Sequence, residues 1–305
     1  MMLRQWGVPI VATLMWLHGA SRPTPDQQTF RTTVKAVPIY VSVIDDRGHL
    51  VTDLTRDDFQ ILDNGRPVEI AVFDNHVQRI TGVLLLQALS GQFQREREAA
   101  SAFVHALAPE DRIYIGSLGS EVAISPILTG DKPTLSRVLD EEFWPGGGSP
   151  LWRGIDSAMR ALSSEQGRRV IVLVTDDREN LPVPLPDVVD HLVDAIRAQS
   201  DREKRAIEPR LLAGAHVLYT VALEGVLGVA TYLDDAVDAT GGGRIRLGAH
   251  DDSKATMQRV VDELRHQYTM SFIPTVLDGA VHRLQVKVNR KAVKLRFRRS
   301  YAATP

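Results

Sequence analysis

Three polar segments follow apolar runs and hold the residue types from which a site is built. They are Gln87-Ala88-Leu89-Ser90-Gly91, Pro145-Gly146-Gly147-Gly148-Ser149-Pro150-Leu151 and Thr175-Asp176-Asp177. The glycine run suggests a backbone cradle for phosphate at a helix N-terminus. It lacks the Lys-Ser/Thr of a P-loop and the spacing of a dinucleotide fingerprint, so the phosphate signal is weak. Trp144 and Trp152 flank the run. They are either partner anchors, a role in which tryptophan is over-represented, or packing for the helix that Leu151 opens. Asp176 in a sheltered crevice needs a charge partner or hydrogen bonds. Arg153 and Arg178 are candidate partners, and backbone N–H groups are the alternative. No Gly-x-Ser-x-Gly elbow, His-Glu-x-x-His or pair of histidines at metal spacing occurs. His250, His266 and His282 stand isolated, and the pairs Asp45-Asp46, Asp57-Asp58 and Asp234-Asp235 fall in turns or on helix surfaces. With no cysteine there is no thiol nucleophile, thiolate metal site or disulfide. Enzyme chemistry is not expected.

The elements that would position these segments are legible in the apolar pattern. Val37, Ile39, Val41 and Val43 alternate as in a half-buried strand. Phe59, Ile61 and then Val68, Ile70 and Val72 continue a small β unit around a turn at Asp63-Asn64-Gly65, ending near Phe73. The runs Val83–Leu86, Val170–Val174 and Val217–Val221 are continuous, as in strands buried on both faces of a parallel sheet. Helical spacing between them (Ala99, Phe103 and Leu107; Leu135 and Leu139; Ile155, Met159 and Leu162) predicts a doubly wound α/β domain over residues 79–267. Gln199–Arg210, rich in both charge signs, reads as a solvated helix or linker. Period two returns in Leu284, Val286, Val288 and in Val293, Leu295, Phe297, with a turn at Asn289-Arg290-Lys291. Residues 35–78 and 268–303 thus read as two parts of one β domain, into which the α/β domain is inserted.

The 305 residues are 44% apolar and 24% charged with net charge −2, an ordinary globular composition. No nucleic-acid partner is expected from that balance. Arg4, the apolar stretch Trp6–Leu17 and the small residues Gly19 and Ala20 have the order of a secretory signal over residues 1–20, followed by a linker over 21–34. The apolar stretch is shorter than the ~20 residues a spanning helix needs. Export to the periplasm or cell exterior is expected, with no transmembrane segment in the mature chain. The closing strands read as a hairpin that carries one strong charge feature, Arg283, Lys287, Lys294, Arg296 and Arg298. It is read as a solvated face, with contact to an anionic surface as the alternative.

The strings "VLLLQALSG", "GGGSPLW" and "VIVLVTDD", in that order, resemble the von Willebrand factor type A domain. The flanking strings "VSVIDDRGHLVTDLTRDDFQILDNGRPVEI", "QYTMSFIP" and "HRLQVKVNRKAVKLRFRRSYAA" resemble the β segments of its exported bacterial, acidobacterial-type subgroup. The resemblance implies a type A α/β fold inserted in a small β-sandwich-like domain. It also implies an adhesion site in which an Asp-x-Ser-x-Ser motif and two later loops hold a hard divalent cation, whose open position takes an acidic residue of a partner. This chain departs from that pattern. Gln87 stands for the motif Asp, Leu89 for the first Ser and Gly91 for the second. Ser149, in place of Thr, and Asp176 match. The expectation is a degenerate site with at most weak Mg²⁺ or Mn²⁺ binding through Ser149 and Asp176.

Three readings follow. The first is an interaction module that binds a protein partner without metal at the strand-end loops (Gln87, Leu89, Gly91, Ser149, Asp176, Trp144, Trp152). The second is a metal-dependent adhesin using Ser149, Asp176 and waters. The third is an enzyme whose site the sequence does not reveal.

Overall fold

The computed structural model describes residues 36–87, 91–119, 121–142, 149–176, 189–223 and 233–304. The leader and linker expected over 1–34, together with Leu89, Trp144, Arg178 and the glycines at 146–148, lie outside the described residues. The alternation that begins at Val37 is strand β1 (Val37–Asp45), followed by β2 (Phe59–Asp63), β3 (Arg66–Val68) and β4 (Val72–Asp74). β2 and β3 pair across Asn64 (φ 47°) and Gly65 (φ 80°). A two-residue hairpin turn needs positive φ at both positions, which an Asn-Gly pair supplies at least cost.

The α/β part follows as β5 (Thr81–Leu86), α1 (Phe93–Ala106), β6 (Arg112–Leu118), β7 (Val122–Ile124), α2 (Lys132–Glu141), α3 (Leu151–Ala161) and β8 (Arg169–Thr175). It continues with α4 (Val189–Ala213), β9 (His216–Leu223), α5 (Leu233–Thr240), β10 (Arg244–Leu247) and α6 (Ser253–Arg265). Its sheet runs β10-β9-β8-β5-β6-β7, parallel throughout except for the antiparallel edge β7. The continuous apolar runs serve two cores. Leu84, Leu86, Val172 and Val174 pack under α1, α2 and α6, against Phe103, Val138 and Met257 among others. Val83, Leu85, Ile171 and Leu173 pack on the other face under α3, α4 and α5. This is a doubly wound α/β arrangement, and the strand order turns back between β5 and β8. In such sheets that switch point opens a crevice beyond the carboxyl ends of the strands.

The chain closes with β11 (Tyr268–Phe272), β12 (Val281–Val288), β13 (Val293–Arg296) and β14 (Ser300–Ala302). These join the first four strands in two antiparallel sheets, β13-β1-β11-β4 and β14-β12-β2-β3. Ile39, Val41, Met270 and Phe272 of one sheet and Phe59, Ile61, Leu284 and Val286 of the other share one core, forming a β-sandwich. The basic closing strands are therefore not a hairpin. β12 pairs with β2 and β14, whereas β13 pairs with β1 in the other sheet. The charge reading changes with them. Arg283, Lys287 and Lys294 are exposed as expected. Arg298, however, is buried and donates to Leu212 O and, at 3.1 Å, to Ser300 O. Arg296 turns inward to α6, where its Nη1 lies 2.6 and 2.7 Å from the carboxylate oxygens of Glu263.

Polar groups join the sandwich to the α/β part. Glu263 also accepts from Tyr219 Oη at 3.0 Å, and Gln267 Nε2 donates to Tyr219 Oη and to Ser42 Oγ of β1, both at 3.2 Å. Buried Arg168 donates to Gln267 Oε1 at 2.8 Å and lies 5.8 Å from the ring of Tyr40 on β1. The described residues form one compact unit. Among them no helix is long and apolar enough to cross a membrane.

Candidate functional site

Gln87 is the first residue beyond β5, Thr175 ends β8 and Asp176 follows it, so all three lie at the switch point. Gln87 N–H donates to Val174 O at 3.0 Å, which continues the parallel ladder and sets the direction of the side chain. That side chain is fully buried. Its Oε1 accepts from the Thr175 hydroxyl and, at 2.7 Å, from the Asp176 N–H. Its Nε2 donates to Ser149 Oγ at 2.5 Å. One neutral amide thus ties the ends of two neighbouring strands to Ser149, two residues before α3. Ser149, Thr175 and Asp176 are buried with it, so the cluster is sheltered from water.

The structure therefore brings together three of the residues singled out in the sequence, Gln87, Ser149 and Asp176. It adds Thr175, which the sequence reading placed in the third polar segment but not among the candidate site residues. The signal was a hydroxyl at the last position of a fully apolar strand, where a polar group needs a partner.

Of the other expected residues, Gly91 and Trp152 have surroundings of their own. Gly91 sits in the exposed turn before α1, and a Cβ built there meets nothing within 4 Å. Leu89 and Trp144 lie outside the described residues. Trp152 is a correction to the anchor reading. It is 2% exposed and packs with Leu118, Leu151 and Ile155 in the core beneath α3, so packing is its role. Arg153 does not need Asp176 as its counter-ion, since its Nε lies 3.4 Å from Glu203 of α4. His282, isolated in sequence, has neighbours in space. Its Nδ1 lies 2.9 Å from Asp63 Oδ1, and Tyr301 Oη donates to Asp63 Oδ2 at 2.8 Å.

A hard divalent cation such as Mg²⁺ requires near-octahedral oxygen coordination. The described cluster offers an amide, two hydroxyls and one carboxylate. The amide oxygen already accepts two hydrogen bonds, and the amide NH₂ faces the Ser149 oxygen that would have to face the ion. These residues do not fit such an ion. Among the described residues, no three of His, Asp or Glu converge as a metal group.

No family model matches the chain, and no curated protein matches it. Solved structures with a similar fold include a von Willebrand factor type A protein from Catenulispora acidiphila, at 8% identity and TM-score 0.46, over 90% of this chain and 76% of that one. An aerotolerance-related membrane protein from Bacteroides fragilis is 14% identical with TM-score 0.39, over 61% of this chain and 98% of that one. The von Willebrand factor domain of a type V pilus tip protein from Porphyromonas gingivalis is 10% identical with TM-score 0.44, over 61% and 95%.

Proposed function

We propose that this chain is an exported, non-enzymatic interaction module that binds a protein partner at the carboxyl-end edge of its central sheet without a metal ion. The Gln87 amide carries this reading. It stands at the switch point, where open α/β sheets take their ligands, and its hydrogen bonds join the ends of β5 and β8 to Ser149. Strand ends joined in this way are preorganised, which lowers the ordering cost of association. No charge has to be neutralised by an ion at the Gln87 position, because the amide is neutral.

The exposed rim at Gly91 provides the test. A photo-crosslinking residue such as benzoyl-phenylalanine at position 91 adds a side chain into open space. The full exported chain carrying it should form the same discrete adduct in its native host with and without EDTA. A control probe at exposed Lys287 on the sandwich should not form that adduct. Absence of an adduct at position 91, or an adduct abolished by EDTA, contradicts the proposal. The second outcome would favour the metal-dependent reading through Ser149 and Asp176.

A further inference from the structure

The sandwich has four edge strands, β13, β4, β14 and β3. An open edge is a template for another chain unless something blunts it, most often lysine, arginine or proline. Three of the four are guarded in this way. β13 carries exposed Lys294, β14 follows exposed Arg299, and β3 holds Arg66 and Pro67. β4 reads Val72-Phe73-Asp74 and has no such guard. Its inner side pairs with β11, and the N–H of Ala71 extends that pairing by donating to Ser271 O at 2.7 Å. Among the described residues no strand pairs with its outer side.

Exposed apolar surface gathers at the same end of the sandwich. Val72 is 54% exposed and Ile273, just beyond β11, 51%; Val276 and Leu277 follow in the same β11–β12 connection. Clustered apolar exposure of this kind marks interaction sites, whereas single exposed residues do not. A groove of about 810 Å³ runs between β3 and that connection, with Val68, Ile273 and Val276 in its apolar walls. Its charged lining is Asp63, Glu69 and Asp278 against Arg66, with His282 beside them. Asp63 is turned inward to Tyr301 and His282, while Glu69 and Asp278 are exposed. The rim is therefore acidic on balance.

We propose that the outer edge of β4 and this groove receive an extended segment of a partner protein, apolar at alternate positions and carrying a lysine or arginine. Strand addition supplies main-chain hydrogen bonds, and alternate side chains supply selectivity. Apolar residues of the segment rest on Val72, Ile273 and Val276, and its basic residue meets Glu69 and Asp278. This surface lies on the sandwich and is independent of the strand-end site.

A fluorescein-labelled peptide of alternating valine and threonine flanked by lysines, titrated into the full chain, tests the proposal by anisotropy and amide hydrogen exchange. The expected result is saturable binding that slows exchange over residues 71–74. Affinity should fall about tenfold or more when the flanking lysines become glutamates, or in Glu69→Lys/Asp278→Lys. Val72→Lys, at a half-exposed position that leaves the core intact, should lose binding while keeping the wild-type melting profile. The proposal is overturned by equal affinity for the two peptides, by protection elsewhere, or by no saturable binding at millimolar peptide. It is also overturned if sedimentation shows concentration-dependent self-association with protection at 71–74, since the occupant would then be a second copy.

Discussion

Gln87 was visible in the sequence as a departure from a motif, but its role was not. A pattern of types and spacings can show that a carboxylate is missing. It cannot show that the replacement amide has the length and the two kinds of polar atom needed to bridge Thr175, Asp176 and Ser149. Removing that bridge leaves buried donors without partners, at a cost of about 1–3 kcal/mol per orphaned group. Gln87→Leu, which keeps approximate volume, should destabilise the protein by about 2–4 kcal/mol in urea unfolding. A change under about 0.5 kcal/mol would mean that the amide is not what holds these loops. Trp152 teaches a related point. Its type suggested an anchor, yet the helix on which it sits turns it into the core.

At the scale of elements, the buried strands were legible because they are buried on both faces and need no partner to be recognised. α5 and β10 were missed. α5 spans only Leu233–Thr240, and the Arg-Ile-Arg-Leu of β10 has no continuous apolar run. Their close return to the sheet depends on Gly242, where a Cβ would lie 1.7 Å from Leu218 O. The false hairpin between β12 and β13 has another cause. Alternation identifies strands, but strand partners are set by the long-range core, here the sandwich of β1 and β2.

One strand terminus also sets a pH dependence. His216 opens β9, where burial, and then the charge of Arg169, lowers its pKa to about 4 from the ordinary 6.5. Between those two values the unfolded chain binds more protons, so stability rises with pH. The contribution is complete above pH 6.5 and is lost as pH falls through 4, amounting to about 3 kcal/mol at most. Urea midpoints of wild type and His216→Asn, measured from pH 4 to pH 7, should show a shallower rise in the variant. Parallel curves would rule out this assignment.

Across the whole molecule, the sandwich and the α/β part share polar groups rather than only a linker. Glu263 on α6 is buried and receives Arg296 from β13 and Tyr219 from β9. Removing one partner of a buried ion pair strands the other charge, typically at ~3–5 kcal/mol, whereas replacing both with apolar groups can be close to neutral. Arg296→Ala should therefore cost about 3 kcal/mol, and the double change Glu263→Leu/Arg296→Met should recover most of it. Both proteins should unfold in a single transition when followed by far-UV and aromatic signals. Two separated transitions in wild type would mean that the junction does not couple the two parts.

Calorimetric titration of the full chain with Mg²⁺ and Mn²⁺ tests most directly whether the strand-end site works without a metal ion. No saturable heat is expected up to millimolar ion, in wild type and in Asp176→Ala alike. Saturable binding in wild type that is lost in Asp176→Ala would contradict a metal-free site, because an ion would then occupy the strand ends that the Gln87 amide bridges.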